Sequence, residues 1–194
     1  MRVAVRPMAR TRVTPNHITT LRLVTGLAAA AMIAVGGDYW PVVGGVAFVI
    51  SVVLDRADGE LARIANKGSP FGHVYDLVAD AACNAAVLAG VGIGLRDGQL
   101  GAWAVPMGLL AGASVAFILW AVMRVEAAEG ARAAELAAIG GFDVDDAVLL
   151  IPLAIWLGGS VPLLIAATIC APAVALFFLW RLFRPRAAQS DKAE

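Results

Sequence analysis

Four aspartates stand close together in the segment LDRADGELARIANKGSPFGHVYDLVAD, at Asp55, Asp58, Asp76 and Asp80. Asp55, Asp58, Gly59 and Ala62 recur at i, i+3, i+4 and i+7, which is one face of a helix. Gly72, Asp76 and Asp80 recur at i, i+4 and i+8, again one face. Between the two sets lies NKGSPF, whose Gly68 and Pro70 suit a reversal of the chain. Two facing helices would then converge four carboxylates on one site.

Such a cluster repels itself and is costly near lipid, so it calls for a neutralising partner. A hard divalent cation, Mg²⁺ or Mn²⁺, does this with oxygen ligands alone, and four carboxylates suit two ions better than one. Mg²⁺ held by a few carboxylates completes its shell with substrate phosphate oxygens. Gly59 and Gly72 remove side chains where a nucleotide or phosphate would approach, and Arg63 is placed either to contact a phosphate or to pair with a carboxylate. The chemistry this set suits is phosphoryl transfer. Any one of these aspartates alone reads as an ordinary interfacial residue; the four together with the glycines do not. His73 projects about 100° from the Asp76 and Asp80 face and reads, like His17, as a surface or packing residue. Lys67 reads as a solvated turn residue.

The elements that must position these residues belong to a very apolar chain. It has 194 residues, 60% of them apolar and 15% charged, with mean hydropathy +0.80, against an apolar share of roughly 45–50% in soluble domains. The fold class expected is all-α integral membrane. A hydrocarbon core of about 30 Å takes about 20 helical residues, and six spans are read on that basis. They run from Ile18 to Gly36, Trp40 to Asp55, Gly72 to Leu95, Ala102 to Val125, Asp146 to Leu157 and Val161 to Phe183. The second and fifth are short, and the second is expected to continue as helix beyond the lipid, carrying the first aspartates. With the N-terminus inside, every Lys and Arg except Arg96 falls on the cytoplasmic side. That pattern puts the aspartates at the cytoplasmic surface, in keeping with a bacterial inner membrane.

The remaining segments are read as one domain over residues 1–183 with a polar, Pro-interrupted tail over 184–194. The leader, residues 1–16, interleaves Arg2, Arg6, Arg10 and Arg12 with Val and Met. It suits either a juxtamembrane segment on anionic lipid or an unstructured basic tail, and no secretory signal is expected from it. Thr14 followed by Pro15 reads as an N-cap and first helical position, with Asn16 a first-turn residue. Glu126, Glu129, Arg132 and Glu135 extend the fourth span as helix until Gly140 and Gly141; Asp143, Asp145 and Asp146 suit the start of the fifth. GVGIGL superficially resembles a nucleotide loop, but its position inside a span favours close helix packing. Cys83 and Cys170 lie in apolar runs without metal or disulfide spacing and read as small packing residues.

Taken together, Asp55, Asp58, Gly59, Ala62, Arg63, Gly72, Asp76 and Asp80 match the DxxDGxxAR…GxxxDxxxD pattern of the CDP-alcohol phosphotransferases, also called CDP-alcohol phosphatidyltransferases. The chain resembles that family at all eight positions. TPNHITTLR ahead of the first span and the six-span layout extend the likeness over nearly the whole chain. The resemblance implies a six-helix membrane enzyme, usually a homodimer, that moves a phospho-alcohol from a CDP-alcohol to an acceptor hydroxyl and releases CMP. It implies Asp55, Asp58 and Asp76 as metal ligands and Asp80 as general base that also touches the second ion. Gly59, Ala62, Arg63 and Gly72 would shape the CDP pocket, together with Asp55, Asp58 and Asp76.

The pattern reads the CDP half of the donor, and members sharing it differ in donor and acceptor. CDP-diacylglycerol is the expected donor, on the grounds of a small chain with its site at the lipid surface; a soluble CDP-alcohol is the alternative. Arg124 and Arg132, at and beyond the end of the fourth span, offer a pocket for an acceptor's phosphate, which favours glycerol 3-phosphate or another small phosphorylated polyol. Topology and pairing with Glu126 or Glu129 explain them equally well. Outside the family, a membrane prenyltransferase also uses aspartate-rich helices with Mg²⁺ and a diphosphate, but such enzymes are longer and resemble a different aspartate pattern; a non-catalytic cation-binding protein would place carboxylates on helices without needing Gly59, Ala62, Arg63 and Gly72. Membrane lipids are the expected surroundings, and nothing points to nucleic acid.

Overall fold

The computed structural model describes residues 14–65, 69–129 and 148–183. Among them the ordered elements are all helical: α1 (Pro15–Val35), α2 (Trp40–Ala65), α3 (Pro70–Gly94), a short 3₁₀ turn (Gly101–Trp103), α4 (Ala104–Glu129), α5 (Leu150–Trp156) and α6 (Ser160–Phe183). Five of these segments are long and apolar enough to cross a membrane. α5 is the exception. Its seven residues rise only about 10 Å, so the expected fifth crossing from Asp146 to Leu157 is not a full span in the described residues. Residues 1–13, the NKG turn, the connection over 130–147 with Arg132, Glu135, Gly140, Gly141, Asp143, Asp145 and Asp146, and the C-terminal tail lie outside them; the expected helical extension of the fourth span through Glu126 and Glu129 is present as far as Glu129.

Local chemistry sets the helix starts. Thr14 is extended (φ −101°, ψ 154°) and Pro15 opens α1. His17 completes the first turn, its Nδ1 accepting from the Thr14 amide at 3.3 Å. Ser69 is the corresponding cap of α3, with Pro70 following it and its Oγ accepting from the Gly72 amide at 3.0 Å. α1 ends in a turn through Gly36 and Gly37, whose φ values of 78° and 74° lie where a side chain is strained. α2 has 26 residues, about 39 Å of helix. It runs on past the hydrocarbon thickness as one continuous element, as its sequence leads one to expect.

α1 packs between α2 and α3, α4 joins α3 to α6, and α5 rests on α2. Water cannot drive helices together in lipid, so close approach of small residues does the work. At Gly108 of α4, an added Cβ would stand 2.7 Å from the Leu88 carbonyl and 2.8 Å from the Gly92 Cα of α3. Gly90, in GVGIGL, meets the backbone of Ala30 in the same way. That stretch is thus a helix-packing surface, as its position suggests. Phe48, Val87 and Val91 are fully buried in the shared core, while Leu21, Val24, Val74 and Val78 expose apolar surface outward. Arg96, in the turn that follows α3, donates to the carbonyls of Ala34 and Ile93.

Candidate active site

The site forms where the N-terminal halves of α1 and α3 meet the C-terminal half of α2. The Ser69 and Pro70 start fixes the phase of α3, so Asp76 and Asp80 both face α1. Continuous helix through α2 carries Asp55 and Asp58 to the same level. Asp55, Asp76 and Asp80 each offer a carboxylate oxygen, and these oxygens lie within 4.8 Å of one another. All three are half-buried. Asp58 is turned differently. It is 2% exposed, its Oδ2 accepts from the Thr19 hydroxyl at 2.7 Å, and its Oδ1 is buried with no hydrogen-bond partner.

The structure therefore gathers three of the four expected aspartates tightly and holds the fourth on α1. A buried, unpartnered carboxylate oxygen is expensive in a protein interior, and a cation is the partner that removes that cost. Oxygen donors alone, converging from two helices, suit a hard divalent ion rather than a soft one. The oxygens of Asp55, Asp76 and Asp80 thus suit a hard divalent ion on an observation independent of their spacing, while Asp58, outside that group, keeps one buried oxygen without a hydrogen-bond partner.

The other expected residues are less uniform. A Cβ at Gly59 would meet nothing within 4 Å, so the missing side chain leaves open space there. At Gly72 a Cβ would lie 3.0 Å from both Asn16 Oδ1 and Ser69 Oγ; its lack of a side chain admits Asn16 and the helix cap. Ala62 is partly buried and Arg63 is exposed in the last turn of α2. No ion pair joins Arg63 to the aspartates among the described residues. Arg124 is exposed, with its guanidinium 5.2 Å from the centre of the Trp120 ring.

Three residues of α1, all within the TPNHITTLR stretch but given no site role by the sequence, enter the site. Arg22, 3% exposed, brings Nη1 to 2.7 Å from Asp55 Oδ1 and 2.8 Å from Asp76 Oδ1, and pairs through Nη2 with Asp80. Thr19 holds Asp58. Asn16 lies against Gly72. Their spacing, i, i+3 and i+6, is one helix face, and an arginine inside an apolar span demands an acidic partner. That was the available signal. A further contact, 3.0 Å between the Thr20 and Tyr75 hydroxyls, ties α1 to α3 beside the site.

A family model described as CDP-alcohol phosphatidyltransferase matches residues 12–180. No curated protein matches the chain significantly. Among solved structures the chain is similar to the crystal structure of Mycobacterium tuberculosis phosphatidylinositol phosphate synthase in apo form, with 21% sequence identity and a TM-score of 0.59. That likeness covers 91% of this chain and 94% of the other and speaks for the fold. The sequence match runs from ahead of α1 into α6 and takes in both aspartate-bearing helices, so the chain belongs to the CDP-alcohol phosphatidyltransferase family.

Proposed function

We propose that this phosphatidyltransferase moves the phosphatidyl group of CDP-diacylglycerol to the hydroxyl of a small phosphorylated polyol, glycerol 3-phosphate first among them, and releases CMP. The observation that carries the reading is the convergence of the Asp55, Asp76 and Asp80 oxygens within 4.8 Å of one another, with Asp58, one helical turn beyond Asp55, keeping a buried and unpartnered Oδ1. The lipid-borne donor is favoured by the apolar surface that Leu21, Val74 and Val78 expose on the same two helices that face the site. A neighbour in fold acts in phosphatidylinositol phosphate synthesis, which is in keeping with a phosphorylated polyol as acceptor.

Asp55, Asp58 and Asp76 would hold two divalent ions, with Asp80 reaching the second. When bound, the ions supply the positive charge that offsets the donor's diphosphate and the departing CMP. The chain's own groups do the rest. Asp80 takes the proton of the acceptor hydroxyl as that oxygen attacks the β-phosphorus; the new P–O bond forms, the bond to CMP breaks, and CMP leaves with the electron pair. The open flank at Gly59 admits the nucleotide, with Ala62, Arg63 and Gly72 bordering it. Arg124 and Arg132 receive the acceptor's phosphate. The positive-inside distribution supports a site facing the cytoplasm of a bacterial inner membrane, and the family resemblance supports a homodimer built from one domain over residues 1–183.

The test is CMP release by the purified protein from CDP-diacylglycerol and, in parallel, from soluble CDP-alcohols, with and without divalent ions, across glycerol 3-phosphate, serine, inositol and inositol phosphate. Ion-dependent release with a phosphorylated polyol is expected. Release only from soluble CDP-alcohols would overturn the donor assignment.

A further inference from the structure

Arg22 sits inside an apolar helix, and its guanidinium is committed to Asp55, Asp76 and Asp80. Those three carboxylates are also the ones whose oxygens lie within 4.8 Å of one another and suit a shared cation. Two kinds of cation therefore face one set of oxygens. The arginine backbone is pinned, since its carbonyl accepts from the Ser51 hydroxyl at 2.9 Å. The three guanidinium contacts are all to side chains. Beside them a cavity of about 20 Å³ is bounded in part by Arg22, Asp55, Asp80 and Asn84, room for about one water-sized species. Asp58 Oδ1 makes no use of Arg22 and stays without a partner.

We propose that Arg22 is a positioning residue acting as the internal counter-ion of the site. It holds Asp55, Asp76 and Asp80 together while divalent ions are absent, and it competes with those ions for the same oxygens, so that it sets how much ion the site needs. The proposal rests on the reading of the aspartates as ion ligands. Its physical basis is that three carboxylates this close repel one another strongly unless a cation stands among them. Removing one partner of a buried ion pair leaves the other uncompensated. A guanidinium suits the holding role because it is always charged and its fork reaches several carboxylates at once.

The experiment compares wild type with Arg22→Gln and Arg22→Lys in detergent. It measures thermal unfolding in EDTA and across a Mg²⁺ titration, and Mn²⁺ binding by electron paramagnetic resonance. Arg22→Gln should melt lower in EDTA by about 10 °C, regain most of that loss with ion, and reach half-saturation at roughly a tenth of the wild-type ion concentration, the effect of lifting a competing cation. Arg22→Lys, which keeps the charge without the fork, should fall between the two. If Arg22→Gln does not fold without ion, the lysine variant decides the matter by its half-saturation. Half-saturation at the wild-type concentration or above it, in whichever variant folds, would overturn the counter-ion role while leaving the ligand reading intact. Melting and Mn²⁺ signals indifferent to ion in wild type and variants alike would overturn both.

Discussion

The Thr19 hydroxyl donates to Asp58 Oδ2 at 2.7 Å, across from α1 to α2, and the second oxygen of that carboxylate is buried without a hydrogen-bond partner. One hydrogen bond thus orients a carboxylate that the helix periodicity of α2 only places. Thr19→Val keeps the shape and removes the donor. It should lower stability by about 1–3 kcal/mol, the cost of orphaning a buried acceptor, seen as a lower Tm in detergent. It should also weaken divalent-ion binding. Thr19→Ser, which restores the hydroxyl, should recover both, and an unchanged ion affinity in the valine variant would show that Asp58 is oriented by something else.

Two glycines that look alike in the sequence differ in what surrounds them. Gly59 faces open space, so Gly59→Ala should not lower Tm and should gain up to about 1 kcal/mol from helix propensity. It should nevertheless raise KM for the CDP-alcohol roughly tenfold, about 1.4 kcal/mol of binding. Gly108 lies against the backbone of α3, where a Cβ would come within 2.7 Å of Leu88 oxygen. Gly108→Ala should cost about 1–3 kcal/mol, with KM little changed. Steady-state kinetics and thermal unfolding of the two variants separate the roles.

The proposed handling of the acceptor's phosphate assigns it to Arg124 and Arg132. Replacing both with alanine should raise KM for the acceptor while leaving KM for the CDP-alcohol unchanged. The loss of the Arg124 contact with Trp120 should cost only about 0.5–1 kcal/mol of stability. An unchanged acceptor KM would remove the pocket from the account.

What was legible in the sequence was what depends on local geometry. The spacing of Asp55 and Asp58, and of Asp76 and Asp80, determines a helix face whatever surrounds it, and Thr14, Pro15 and Pro70 mark helix starts by the same local rules. Arg22 was harder to see because its role depends on α1 lying between α2 and α3, a packing order set by close contacts at residues such as Gly90 and Ala30. An arginine at the start of a span also satisfies the positive-inside pattern, and that simpler reading absorbed it. The fifth segment reads as short in the sequence, and within the described residues it is the short helix α5 resting on α2; its apolar composition from Val148 to Leu157 alone does not tell a short packed helix from the end of a span.

The central claim is that Asp80 is the base of a metal-dependent transfer from a CDP-alcohol. Its most direct test is CMP release in the presence of Mg²⁺ and CDP-diacylglycerol, with the preferred acceptor, by wild type and by Asp80→Asn. Both proteins must first be shown to fold and to retain bound ion. The account predicts release by wild type that disappears on ion removal, and a fall of about a hundredfold or more in the variant, the range expected for loss of a general base. Release by Asp80→Asn at the wild-type rate would contradict it.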